Sequence, residues 1–96
     1  MSDLNVDIDV RIIEWLIGDP HDPYSLAIRQ CYGHRLPQEP MWLVKRYALT
    51  EGPVLNVRGK WEDQPLPSNR DDEFYKRCRF ESFQQAVLAA TKAIGK

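Results

Sequence analysis

The chain is 96 residues long, 43% hydrophobic, 28% charged and 10% aromatic, the composition of one folded domain over residues 1–96 and not of a disordered chain. Thirteen basic residues against fourteen acidic ones leave a formal charge of −1. That balance excludes the strongly basic profile of a non-specific nucleic-acid binder and the acidic profile of a nucleic-acid mimic. No apolar run approaches the roughly 20 residues that span a bilayer. The acidic, alternating start Met1-Ser2-Asp3-Leu4 lacks the features of a secretory signal, so a cytoplasmic protein is expected.

Residues 3–12 alternate without a break, with Leu4, Val6, Ile8, Val10 and Ile12 on one face and Asp3, Asn5, Asp7, Asp9 and Arg11 on the other. This is the clearest strand pattern in the chain. The phase slips at Ile12-Ile13, and a bulge there would carry the strand on to Gly18. A short helix capped by Asp9 is the rival over 13–18, disfavoured by the β-branched residues. The cluster Gly18-Asp19-Pro20-His21-Asp22-Pro23 is a turn, with Asp22 as N-cap and Pro23 at the first position of a helix over 23–32. Tyr24, Ala27, Ile28 and Cys31 give that helix its apolar face and Gly33 its stop.

Residues 34–40 are polar, carry two prolines and form a connection. Met41 to Leu49 predicts a strand, residues 50–53 a turn, and Val54 to Lys60 an antiparallel partner. Trp61 to Glu73 has no usable period and is a long loop; Phe74, Lys76, Cys78 and Phe80 then alternate with Tyr75, Arg77 and Arg79 as a further strand. Ser82 with Gln85 is a capping box that opens a final helix, with Phe80 closing over its first turn. Phe83, Ala86, Val87, Ala90 and Ile94 form its stripe, and Gly95 ends it. The expected fold is α+β, in the order β-α-β-β-β-α, with one antiparallel sheet and both helices packed on one face.

Charge is unevenly placed: residues 1–24 carry −5, 25–60 carry +4, 61–81 carry −2 and 82–96 carry +2. If residues 74–80 are a strand, Tyr75, Arg77 and Arg79 share one face, beside Arg58 and either Lys45 or Arg46. Rings next to guanidinium groups suit RNA or single-stranded nucleic acid. The plainer reading is neutralisation by the acids of the first strand, and the near-neutral chain favours it.

Catalytic constellations are weak. Asp19, His21 and Asp22 match no rigid metal geometry. Cys31 and His34 have the spacing of a thiolate–imidazole pair, but Cys31 fits an apolar face. Adding Cys78 brings no CxxC or HxxxH pairing, and two cysteines are too few for a disulfide framework, so both are expected as reduced, partly buried thiols. There is no phosphate loop and no nucleophile elbow. No enzyme activity, metal or cofactor is expected.

The strongest candidate is the loop over 61–73, because loops beyond about 12 residues in compact domains tend to be functional. Pro65 and Pro67 stiffen it around Leu66, Asn69 and Arg70, while Trp61 at its base, Arg70 and the nearby Trp42 are residue types enriched in interface hot spots. A structural crossover, with Trp61 in the core and Arg70 paired to Asp71, Asp72 or Glu73, is the alternative; Trp15 is expected in the core. The run of hairpin, polar loop, Arg-rich strand and Phe-Glu-Ser-Phe-Gln-Gln-Ala helix resembles small bacterial or phage proteins in layout, a likeness that implies no mechanism. The sequence thus suggests a non-enzymatic protein-interaction domain, an adaptor, regulator or inhibitor, with nucleic-acid binding through Arg58, Tyr75, Arg77 and Arg79 as the alternative. An exposed edge strand could also pair two copies.

Overall fold

Strand β1 runs over Glu14–Ile17, β2 over Leu26–Tyr32 and β3 over Pro40–Arg46. The short strands β4, Val54–Leu55, and β5, Trp61–Glu62, follow them. A 3-10 turn at Pro67–Asn69 then leads into α1, Asp72–Cys78, and α2, Phe83–Ala93. These elements come from a computed structural model that describes residues 14–32, 40–49 and 52–94. The alternating segment 3–12 and the connection over 34–39 lie outside the described residues. The five strands form one antiparallel sheet in the order β1-β2-β3-β4-β5, so the chain is α+β with the strands preceding the helices.

Residues 14–17 are extended, as the β-branched composition suggested. The segment expected as a helix over 23–32 is instead the strand β2, in register with β1 through Ile28↔Trp15 and with β3 through Ile28↔Val44. Asp22 caps a turn and not a helix: its carboxylate accepts the Tyr24 N–H at 2.9 Å and its carbonyl accepts the Ser25 N–H at 3.1 Å. Leu26, Ala27 and Ile28 are all buried, because strands flank β2 on either edge and side chains cover both its faces. A strand buried on both faces loses its alternation, and here the residue spacing imitated a helix.

The expected strand Val54 to Lys60 breaks after two residues at Asn56. The Asn56 carboxamide oxygen accepts the N–H groups of Arg58 and Lys60, both at 2.9 Å, and Gly59 takes a φ of +82° to close the turn. The chain returns as β5, so the loop expected over 61–73 begins with two paired residues.

The expected strand over 74–80 is also overturned. Asp71 is an N-cap whose carboxylate accepts the Phe74 N–H at 2.9 Å; Asp72 and Glu73 occupy the first turn of α1, and Lys76 and Arg77 the last. That charge order complements the helix dipole. Only Phe80 keeps a sheet role, exchanging two backbone hydrogen bonds with Trp42 at 2.7 and 3.0 Å. With β2 extended and α1 helical, the order β-α-β-β-β-α does not hold. Helix α2 forms where expected: Ser82 accepts the Gln85 N–H, and Ala86 and Ala90 are buried on its stripe.

Two buried clusters stabilise the sheet. Leu26, Ile28, Val44, Leu55 and Phe80 pack with Ala86 and Ala90 of α2. Leu43 and Val54, which alternate with Val44 and Leu55 and so point to the other face, pack with Phe74 and Cys78 of α1. Buried residues of α2 thus meet Val44 and Leu55, and those of α1 meet Leu43 and Val54. Trp15 is on the α2 face but partly exposed, meeting Phe83 edge-on at 5.0 Å between ring centroids.

On the α1 face, Glu14 of β1 receives the Arg29 Nε–H at 2.9 Å and lies 3.4 Å from the Lys45 ammonium, which is nearly buried. Burial works to raise the Glu14 carboxyl, but the Arg29 hydrogen bond and the Lys45 charge outweigh it and hold the group below the ordinary 4.5. A depressed carboxylate contributes stability that is present above the unfolded-state value and is lost as pH falls through the folded one. Replacing Glu14 with Gln is therefore expected to cost about 1 kcal/mol at pH 7, after allowance for solvent screening. The cost should shrink as pH is lowered from 4.5 through the depressed folded value; urea titrations of both proteins across that range would reveal it. A cost independent of pH would show that the charge is not what stabilises this cluster.

Candidate interaction surface

The segment between β5 and α1 is held from both ends. Glu62 in β5 accepts the Arg77 Nε–H at 2.7 Å and the Asn56 amide at 2.6 Å. The hydrogen bonds of Arg77 and Asn56 keep the Glu62 carboxyl below its ordinary range, and Glu62 in turn raises Arg77. The next anchor is Gln64, whose side-chain carboxamide oxygen accepts a guanidinium N–H of Arg79 at 2.9 Å. Arg79 is only 4% exposed. Its other terminal nitrogen donates to the Cys78 carbonyl at 2.9 Å, and its guanidinium lies over Phe74 at 5.2 Å and Tyr75 at 5.7 Å. Burial lowers the pKa of Arg79, but a guanidinium stays charged, and two hydrogen bonds and two rings compensate its lost hydration.

Arg70 closes the tip. Its Nε–H donates back to the Pro65 carbonyl at 2.8 Å while its guanidinium rests 5.7 Å from the Phe74 ring, and the Asn69 N–H meets the Leu66 carbonyl at 2.8 Å. Residues 65–70 thus form a closed turn with two prolines and a guanidinium strut. Leu66 projects from it, 70% exposed. A large apolar side chain on a stiffened loop is pre-organised for contact, because little conformational freedom remains to be lost.

Of the residues expected to bind protein, Leu66 and Asn69 lie exposed on this turn, and Arg70 is part of it but faces inward. Trp61 and Trp42 do not join them: both pack half-buried against the α2-side core, Trp61 beneath the Arg46 guanidinium at 4.6 Å. The four residues considered for nucleic acid do not form one face either. Arg58 is exposed in the β4–β5 turn, Tyr75 packs edge-on against Phe74, Arg77 is paired to Glu62 and Arg79 is buried. Their expected convergence depended on a strand that is a helix.

The residues weighed for metal or thiol chemistry are spread out. Asp19 and Asp22 spend their carboxylates on the N–H groups of His21 and Tyr24. Cys31 is half-buried and Cys78 fully buried, both free, with burial raising both thiols above their ordinary range; His34 lies outside the described residues. Among the described residues no three His, Cys, Asp or Glu side chains gather to hold a metal, and no helix is long and apolar enough to cross a membrane.

One feature has no counterpart in the sequence reading, a groove between the β4–β5 turn and α2. The one available signal was Leu88, a large apolar residue off the α2 stripe. No protein-family model, curated protein or solved structure matches the chain.

Proposed function

We propose that the protein is a small protein-interaction module that binds a partner through the turn over 65–70, with Leu66 as the anchor and Asn69 beside it. The observation that carries this reading is the contrast between Leu66, 70% exposed, and the buried or half-buried arginines that brace its loop. An unneeded exposed leucine needs no such support. An apolar anchor in the centre of a small contact with a polar rim is the usual anatomy of an interface hot spot.

Changing Leu66 to Asp leaves the fold unaltered, because the side chain touches solvent, and is expected to weaken partner binding by about 2 kcal/mol or more, roughly thirtyfold. Changing Tyr24, which is equally exposed at 69% but lies in the β1–β2 turn, serves as the control. Tagged wild type, Leu66→Asp and Tyr24→Asp would be used to capture proteins from the native host at moderate salt, with quantitative mass spectrometry. A stoichiometric partner lost only with Leu66→Asp is the expected result. Equal capture by all three would sink the proposal.

A further inference from the structure

The groove between the β4–β5 turn and α2 has a volume of about 600 Å³, within the range of sites that take one or two large side chains. Phe80 and Ala89 line its base, and Val57 and Leu88 stand on its walls, 51% and 62% exposed. These two belong to the few large apolar side chains left open to solvent in the described structure. The charged residues of the lining are Arg58 on the turn and Lys92 on the helix. Neither side chain has an ion-pair or hydrogen-bond partner among the described residues, and no described acid lines the groove. Arg29, Lys45 and Arg77, by comparison, are matched to Glu14 and Glu62.

We propose that this groove docks an acidic amphipathic peptide segment of a partner protein, its apolar side chains seated on Leu88, Val57 and Phe80 and its carboxylates meeting Arg58 and Lys92. An apolar floor with same-sign charges on its rim is complementary to a helix that alternates Asp or Glu with Leu or Phe, a recurring recognition mode. The positive rim alone would also suit a nucleic-acid strand, but such binding draws on exposed aromatic faces for stacking. The only ring in this lining, Phe80, is buried against the sheet. The groove shares no residue with the turn over 65–70, so the proposal stands apart from the Leu66 reading.

The test is selection from a displayed library of random peptides, each about 16 residues long, against the intact protein, a length that gives a helix some four turns. Enriched sequences are expected to carry net negative charge and spaced apolar residues. A synthetic peptide of the winning sequence should bind the Arg58→Glu, Lys92→Glu double variant at least about tenfold more weakly and should lose affinity as salt rises. It should bind Leu66→Asp as tightly as wild type. Both exchanged residues are exposed, so thermal unfolding of the double variant should match wild type; Leu88→Glu gives an independent disruption of the same groove. The proposal is overturned if nothing is enriched, if the winners are basic or neutral, or if they bind the double variant and Leu88→Glu undiminished. It is equally overturned if Leu66→Asp abolishes binding, if a thymidine oligonucleotide of similar length is retained in preference, or if the groove variants instead abolish a self-association of the chain.

Discussion

Replacing Gly18 with valine is expected to cost about 3 kcal/mol or more of folding stability, from backbone strain and overpacking together. Gly18 follows β1 with a φ of +116°, a conformation that side chains with a Cβ rarely adopt and β-branched ones least of all. Space is lacking as well: an added Cβ would lie 2.5 Å from the Ser25 hydroxyl oxygen and 2.9 Å from Ile94 Cδ1. The Ser25 hydroxyl cannot turn aside without loss, since it is buried and both accepts the Asp19 N–H at 2.9 Å and donates to the Asp19 carbonyl at 2.7 Å. Alanine carries the same Cβ and should be destabilising too, though by less. Urea unfolding of both variants measures the effect, and midpoints indistinguishable from wild type would contradict this description of the β1–β2 turn.

Ile28→Ala should be comparably severe, at about 3 kcal/mol, in a domain whose whole stability is about 5–12 kcal/mol. Ile28 is fully buried on β2, with Trp15 and Val44 in register on either side and α2 packed against it. Ala86 and Ala90 are the fully buried residues of that helix, and their short side chains cannot fill the volume an alanine at 28 would leave. Leu88→Ala on the outer side of the same helix should change stability by less than about 0.5 kcal/mol. Denaturant midpoints for the pair separate the two cases. A loss below about 1 kcal/mol for Ile28→Ala would mean that β2 is not the centre of the core.

What the sequence discloses depends on how many residues report the same thing. Helix α2 has a cap, a stripe and a length of 11 residues, and all agree. Helix α1 has seven residues, too few for the apolar positions alone to separate a helical period from alternation: Phe74 and Cys78 satisfy both. Its true signature was electrostatic, the Asp71 cap followed by acids first and bases last. Strand β2 was hidden because neighbours cover it on both faces, and nothing local reports that. The hairpin at Asn56 rests on one carboxamide that ties two N–H groups, a contact with a weak sequence trace.

The candidate loop shows the same division. Its place, its prolines and the exposure of Leu66 follow from local composition. The inward turn of Arg70 and the packing of Trp61 do not, because each depends on a partner far along the fold: the Phe74 ring for one, Arg46 and the α2-side core for the other. Residue type alone therefore does not say which side chains of this segment face solvent: Leu66 does, while Arg70 and Trp61 are held by the fold.

The most direct test of the interaction reading is photo-crosslinking in the native host, with a benzophenone side chain carried at position 66 and, as control, at position 24. One dominant protein adduct of defined mass from position 66, absent from position 24, is the predicted result. No adduct at 66, the same adducts at both positions, or adducts to nucleic acid would contradict the assignment of this loop as a protein-binding surface.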